Sequence, residues 1–312
     1  MQKEEIIVKG IAIALVAFGF SRMFFPYMSI SLATPALNTE RDTPVMVNPF
    51  ESLTIAAQAV FVWDVNRGAP LYTLNENAQL PLASLAKIMT ALLAFEEKGG
   101  SAIVSVTKEA ILKEGDHGFK VGEKWRLKDL IDATLVTSSN DGAYILASVF
   151  AADTEKTEIS SEAIFVEKMN QKAKQLGLHQ TFFINESGFD VNLDVSGAYG
   201  SARDVALLFE YILRNHSTLM EATSKTLLTT HSSDGAVHNL ENTNKLVEVL
   251  PGTIASKTGF TDLAGGNLAI AFDAGLGHPV IIVVLGSTAE ERFTDAEQLL
   301  FATLRYLQEA SL

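Results

Sequence analysis

The chain has 312 residues, 47% of them hydrophobic, no cysteine and a formal net charge of −13. That length holds one large domain or two ordinary ones, with ample material for a packed core. The acidity argues against a nucleic-acid partner, which needs basic patches, and the lack of cysteine excludes disulfides, thiolate zinc sites and cysteine nucleophiles.

The first segment, "MQKEEIIVKG", carries Lys3 and Lys9 ahead of an apolar run from Gly10 to Phe20. The run alone is too short for a bilayer, which takes ~20 residues. It fits the apolar core of a secretory signal, and "SLA" ending at Ala33 resembles a small-residue cleavage site. Alternatively, Gly10 to Leu32 spans the membrane as an uncleaved anchor, with Arg22 snorkelling or paired. Residues 1–33 are thus a signal peptide or an N-terminal anchor. Either reading places the rest of the chain outside the cytoplasm, in the periplasm or on the outer face of the membrane. Residues 34–52 are polar, contain three prolines and read as a linker. No further linker interrupts residues 53–312, which are expected to form one catalytic domain.

Within that domain "AAQAVFVWDV", the turn "NRGAP" and "LYTLN" read as a strand hairpin. The apolar helix "PLASLAKIMTALLAFEE" follows. "LKDLIDATLVTSSNDGAYILASVFA" suggests two helices meeting at Ser138 to Gly142. "SEAIFVEKMNQKAKQLGL" is amphipathic with Gly177 as its stop, and "SARDVALLFEYILRN" starts on an N-cap at Ser201. "GNLAIAFDAG" and "HPVIIVVLGS" look like a buried hairpin. The last helix, "TAEERFTDAEQLLFATLRYLQ", is capped by Thr288 with acids in its first turn. Strands at both ends with helices between them suggest an α+β fold. The N-terminal hairpin is expected to pair with the C-terminal strands in a mainly antiparallel sheet, with the helix after Ser84 beside it.

Three short motifs carry chemistry. In the first, Ser84 and Lys87 stand at i and i+3 and share a helix face. A serine hydroxyl is a poor nucleophile until a base takes its proton. Burial among Leu82, Leu85, Ile88 and Met89 disfavours the charged amine, and a second cation would lower its pKa further, so that Lys87 becomes a base. Alone, Ser-x-x-Lys is equally an N-cap serine and a snorkelling lysine. The second motif, Ser138-Ser139-Asn140, sits at the inter-helix junction, where such residues also make ordinary turns. In the third, Lys257-Thr258-Gly259, a cation and a hydroxyl lie on a strand edge, and the glycine admits close backbone approach. An edge strand protected by lysine is the plainer reading. The shared order Ser-x-x-Lys, Ser-x-Asn, Lys-Thr-Gly is what gives the three their weight.

This trio closely resembles the signature of penicillin-binding proteins and class A β-lactamases, with Ser-Ser-Asn a variant within the Ser-x-Asn pattern. Together with "FVEKMNQKAKQLGLHQTFFINESGFD", "YGSARDVALL", "ENTNKL" and "KTGFTDLAGGNLAIA", the chain resembles the low-molecular-mass D-alanyl-D-alanine carboxypeptidases of peptidase family S11 over most of residues 53–308. The resemblance implies their transpeptidase-like fold: an antiparallel sheet with flanking helices and a helical subdomain. It implies that Ser84 attacks the carbonyl of the penultimate D-Ala, that Lys87 is its general base and that Ser138 relays a proton to the leaving amine. Asn140 would hold the substrate amide and orient Lys87. Lys257 would supply positive potential, Thr258 would bind the substrate carboxylate and Gly259 would admit the ligand. The backbone N–H groups of Ser84 and Phe260 would form the oxyanion hole, and Arg292 is the candidate for binding the terminal carboxylate. The implied partners are a peptidoglycan stem peptide, β-lactams as covalent inhibitors, and the membrane through the N-terminal segment.

Many members of that family continue into a β-rich domain and a C-terminal amphipathic anchor; this sequence ends at Leu312, and an N-terminal anchor, if uncleaved, is expected to take over the tethering. A β-lactamase, a D,D-endopeptidase and a catalytically silent cell-wall binder are the alternatives. For the first, Glu167 and Asn170 resemble the Glu-x-x-Asn that activates a deacylating water, although the segment reads as a continuous helix. No cofactor is implied. The histidines, His117, His179, His216, His231, His238 and His278, show no His-x-x-x-His spacing, and no metal is expected.

Overall fold

The computed structural model describes residues 48–112, 118–150, 160–250 and 252–310. The leader or anchor at 1–33 and residues 34–47 of the linker lie outside the described residues.

Five strands form the main sheet. They are β1 (Ala59–Asp64), β2 (Ala69–Leu74), β3 (Thr253–Thr261), β4 (Gly265–Asp273) and β5 (Pro279–Ser287). Their order is β3-β4-β5-β1-β2 and every pairing is antiparallel. The N-terminal hairpin therefore joins the C-terminal strands through β1 and β5, as expected, with Val60 opposite Val284 and Val62 opposite Ile282. β1, β4 and β5, in the middle of the sheet, read as largely apolar runs because both sheet faces are covered there. Side chains alternate between faces. Phe61, Ala269, Ala271, Ile281 and Val283 join one core, and Val60, Val62, Leu268, Ile270, Ile282 and Val284 join the other.

The first face meets the helices of the middle of the chain. These are α1 (Lys87–Lys98), α2 (Leu127–Thr137), α3 (Asn140–Ala147), α4 (Ser161–Gln175) and α5 (Ala202–Asn215). The second face meets α6 (Glu291–Glu309), which buries Phe293, Ala296, Leu299 and Leu300 against it. Each such Leu or Phe is worth about 1.5–3 kcal/mol relative to exposure. The helix starts follow the chain's own signals. Ser201 Oγ accepts from the Asp204 N–H at 3.1 Å, and Thr288 Oγ1 from the Glu291 N–H at 3.0 Å. Gly177 follows α4 with φ +70°, a conformation glycine adopts without a Cβ penalty.

Two contacts fix where the packed domain begins. Phe50, inside the stretch read as linker, is 4% exposed and stacks on Tyr72 with ring centroids 5.2 Å apart. The buried carboxylate of Asp295 accepts from the Ala56 and Ala57 N–H groups, both at 3.0 Å, and from Ser287 Oγ at 2.8 Å. Packing thus starts a few residues before residue 53, because an aromatic ring and a buried carboxylate hold the chain there.

Candidate active site

The site lies where the helical layer meets β3, an edge strand of the sheet. Ser84 is not on an α-helix. It sits in a 3₁₀ turn, Ala83–Ala86, that opens directly into α1. In a 3₁₀ turn residues i and i+3 eclipse, so the Ser84 and Lys87 side chains are brought together more directly than an α-helix would bring them. The turn is entered through Ala83 at φ +49°, a strained conformation for a residue with a Cβ.

Lys87 is fully buried, and Leu82, Leu85, Ile88 and Met89 around it are buried too. Its Nζ lies 2.8 Å from Ser84 Oγ, 2.7 Å from Asn140 Oδ1 and 2.9 Å from the Ser187 carbonyl oxygen. The last two partners can only accept. A neutral amine has two N–H bonds for them and one lone pair left, which can accept the Ser84 O–H. Burial lowers the pKa of Lys87 from 10.5 to about 7, and the carboxylate of Glu186 partly opposes the fall. The sequence reading also invoked a neighbouring cation to lower Lys87. Burial is the largest cause at Lys87, and the repulsion between the two buried amines belongs to both members of the pair.

Ser138 ends α2 in the left-handed conformation, φ 62°. Ser139 then caps α3 by accepting from the Gly142 N–H at 2.9 Å. Gly142 permits this sharp junction, because a Cβ there would overlap the Thr134 hydroxyl. The junction delivers Asn140 to Lys87 and Ser138 to Lys257. Lys257 Nζ is 2.8 Å from Ser138 Oγ and 2.7 Å from the Thr258 carbonyl oxygen. Lys257 is 1% exposed rather than a solvated edge lysine. Burial, then the charges of Lys87 and Arg292, hold its pKa well below 10.5.

Gly259 packs against the turn that bears Ser84; a Cβ there would come within 2.9 Å of the Leu82 carbonyl and 3.3 Å of Ser84 N. Phe260 is half exposed beside it. Arg292 Nη1 donates to the Gly259 carbonyl at 2.7 Å, and its guanidinium lies 4.7 Å from the Phe293 ring centre. Every candidate of the trio is therefore gathered around Ser84, and Arg292 braces the strand that bears Lys257 to Gly259.

Glu167 is exposed and bonded to Gln171 along α4 at 3.0 Å. Asn170 holds both the N–H and the carbonyl of Phe183. Asn170 fastens the helix to a strand, while Glu167 pairs along its own helix. His216, His238 and His278 each face a carboxylate, of Glu96, Glu123 and Asp64 respectively. Among the described residues no three metal-ligating side chains converge.

Sequence reasoning missed four supporting groups. Ser187 supplies the third partner of Lys87 from 100 positions away. Asn185 shapes that loop: its Oδ1 accepts from the Ser187 and Gly188 N–H groups, at 3.2 and 2.7 Å. Gly188, at φ +74°, lies so close to the Ala83 carbonyl that no Cβ would fit. Thr243 Oγ1 is 2.6 Å from Thr258 Oγ1. The Asn-x-x-Gly of "NESG" signals a tight turn, but nothing in it points to the nucleophile.

A serine hydroxyl beside a buried neutral amine, with a second buried amine across the cleft, is equipped for acyl transfer; the molecule is of the penicillin-binding-protein fold class. Penicillin-binding protein D2 of Listeria monocytogenes, solved in its ampicillin-bound form, superposes with a TM-score of 0.67 at 32% identity, covering 80% of this chain and 98% of that one. A D-alanyl-D-alanine carboxypeptidase of Bacillus subtilis is 31% identical over 258 residues, 80% of this chain and 63% of that protein's length. A D-alanyl-D-alanine endopeptidase of Pseudomonas aeruginosa is 27% identical over 279 residues, 88% of this chain and 84% of that protein. The family model for D-alanyl-D-alanine carboxypeptidase, peptidase S11, matches residues 45–289, and the chain belongs to that family.

Proposed function

We propose that the protein is a serine-type D-Ala-D-Ala carboxypeptidase that removes the terminal D-Ala from peptidoglycan stem peptides through an acyl-enzyme on Ser84. The observation that carries this reading is the hydrogen-bond set of Lys87: two acceptors fix its N–H groups and leave its lone pair for the Ser84 hydroxyl. Lys87 takes that proton as Ser84 Oγ bonds to the carbonyl of the penultimate D-Ala. The backbone N–H groups of Ser84 and Phe260 stabilise the oxyanion. The C–N bond then breaks, and the departing D-Ala amine receives a proton through Ser138, which is 2.8 Å from Lys257. Water hydrolyses the ester and frees Ser84.

The substrate ends in a carboxylate, and the chain carries −13, so binding needs a local reversal of the field. Arg292 and Lys257 supply it, with Thr258 as hydrogen-bond partner. Asn140 turns its Oδ1 to Lys87 and offers its amide to the substrate backbone. A β-lactam would acylate Ser84 in the same way. Peptidoglycan lies outside the cytoplasm, and residues 1–33 would export or tether the domain, followed by the linker; among the described residues no helix is long and apolar enough to cross a membrane.

The test is intact-mass analysis over time after penicillin exposure, in the protein and in Ser84→Ala. A stable adduct that Ser84→Ala abolishes is expected. Unchanged labelling of that variant ends the assignment, and fast steady penicillin hydrolysis favours a β-lactamase. Release of D-Ala from a linear pentapeptide, against cleavage of a crosslinked muropeptide, separates carboxypeptidase from endopeptidase.

A further inference from the structure

The turn that bears Ser84 is gripped from two sides. Gly188 presses on the Ala83 carbonyl, and Gly259 on the Leu82 carbonyl and Ser84 N; neither position has room for a Cβ. Two residues beyond each glycine, the two walls are tied together. Asp190 Oδ1 accepts from Thr261 Oγ1 at 3.0 Å, and its Oδ2 accepts from the Leu263 N–H at 3.3 Å. Thr261 Oγ1 in turn accepts from the Ala264 N–H at 3.2 Å. Thr261 is buried and Asp190 half-buried. One carboxylate thus joins the loop that supplies Ser187 to the turn between β3 and β4.

The end of β3 needs such a brace. It is an edge strand with one hydrogen-bonded neighbour, β4. Phe260 and Thr261 stand at its end, opposite Gly266 and Gly265. Glycine offers no side chain to pack there and weakens a strand. Arg292 holds the Gly259 carbonyl, one residue before Phe260, and Asp190 holds Thr261, one residue after it. Phe260 is therefore suspended between two fixed points. We infer that Asp190 is a positioning residue: through Thr261 and Leu263 it sets the place of the Phe260 N–H relative to the Ser84 N–H, and so the width of the oxyanion hole. The inference rests on the peptidase reading above, in which those two N–H groups receive the oxyanion. Such donors work within about 2.7–3.1 Å of the developing charge, and a displacement of about 1 Å can cost roughly a hundredfold.

The experiment uses the full chain and a penicillin isotope-labelled at its β-lactam carbonyl. Stopped flow over a range of concentrations separates the acylation rate constant from the dissociation constant of the initial complex. Infrared difference spectra give the carbonyl stretch of the ester on Ser84. Asp190→Ala should slow acylation about 10- to 100-fold, less than outright loss of a donor at the upper end of its range, with the dissociation constant nearly unchanged. Hydrogen bonds in the hole lower the carbonyl stretch, so the band should move to higher wavenumber in Asp190→Ala. Thr261→Val, which removes the bond from the strand side, should do the same, and it carries the test by itself where Asp190→Ala does not fold. Thr261→Ser keeps the hydroxyl and should retain both rate and band. Unchanged acylation in Asp190→Ala or Thr261→Val overturns the inference and leaves the peptidase reading intact. Slower acylation with an unmoved band also overturns it, since a merely structural role would give that. Absence of any adduct on the unsubstituted protein sinks the peptidase reading and the inference together.

Discussion

Acylation should titrate with Lys87. Its buried amine has a pKa of about 7, and only the neutral form can take the Ser84 proton. The rate of β-lactam acylation should therefore rise with pH through about 7 and level off above about 8. With one controlling group the neutral fraction is roughly one tenth a unit below the midpoint and nine tenths a unit above it, so the rate should grow about tenfold between those points. An ordinary lysine would give a rise of about tenfold per unit, unbroken to beyond pH 9. The assay is stopped-flow acylation by a fluorescent penicillin from pH 5.5 to 9.5. Because Lys87 and Lys257 interact, the midpoint belongs to the pair. Glu186→Gln supplies the sign: its carboxylate raises the pKa of Lys87, so removing it should move the midpoint down. A rate that climbs without a plateau, or a midpoint that moves up in Glu186→Gln, would refute the argument that burial makes the base.

Gly188→Ala would drive a Cβ into the Ala83 carbonyl from a backbone at φ +74°; it should cost at least about 1–3 kcal/mol in denaturant unfolding and slow acylation as well. Asp295→Ala would strand the N–H groups of Ala56 and of the buried Ala57, 239 and 238 positions away. A loss of about 2–4 kcal/mol is expected by urea titration, with the acylation rate of the folded protein unchanged. Thr243→Val would remove the hydroxyl 2.6 Å from Thr258 Oγ1. It should raise KM for the peptide more than it lowers kcat, and an unchanged KM would remove Thr243 from the site.

Much of the fold was legible because its signals are local. Near-continuous apolar strands, serine N-caps and Gly177 are read from a few neighbouring residues, and each element stands where they point. The antiparallel pairing of the two chain ends also followed, since short connections leave few other arrangements. The burial of Phe50 was not legible, because its partners, Tyr72 and Tyr306, are not its neighbours in the chain. The 3₁₀ turn at Ser84 was read as α-helix, since its apolar pattern suits both, and only the pressure of Gly188 and Gly259 against Leu82 and Ala83 shapes it.

The chemical groups of the site were in the sequence, because hydroxyl, amine and amide are properties of residue type and their spacing marked them out. Their protonation and aim were not. The pKa of Lys87 falls because a helical layer, a loop from residues 185–189 and the edge of β3 close over it and take away water. Desolvation and hydrogen-bond geometry come from atoms dozens to hundreds of residues apart, and no local stretch of chain contains them.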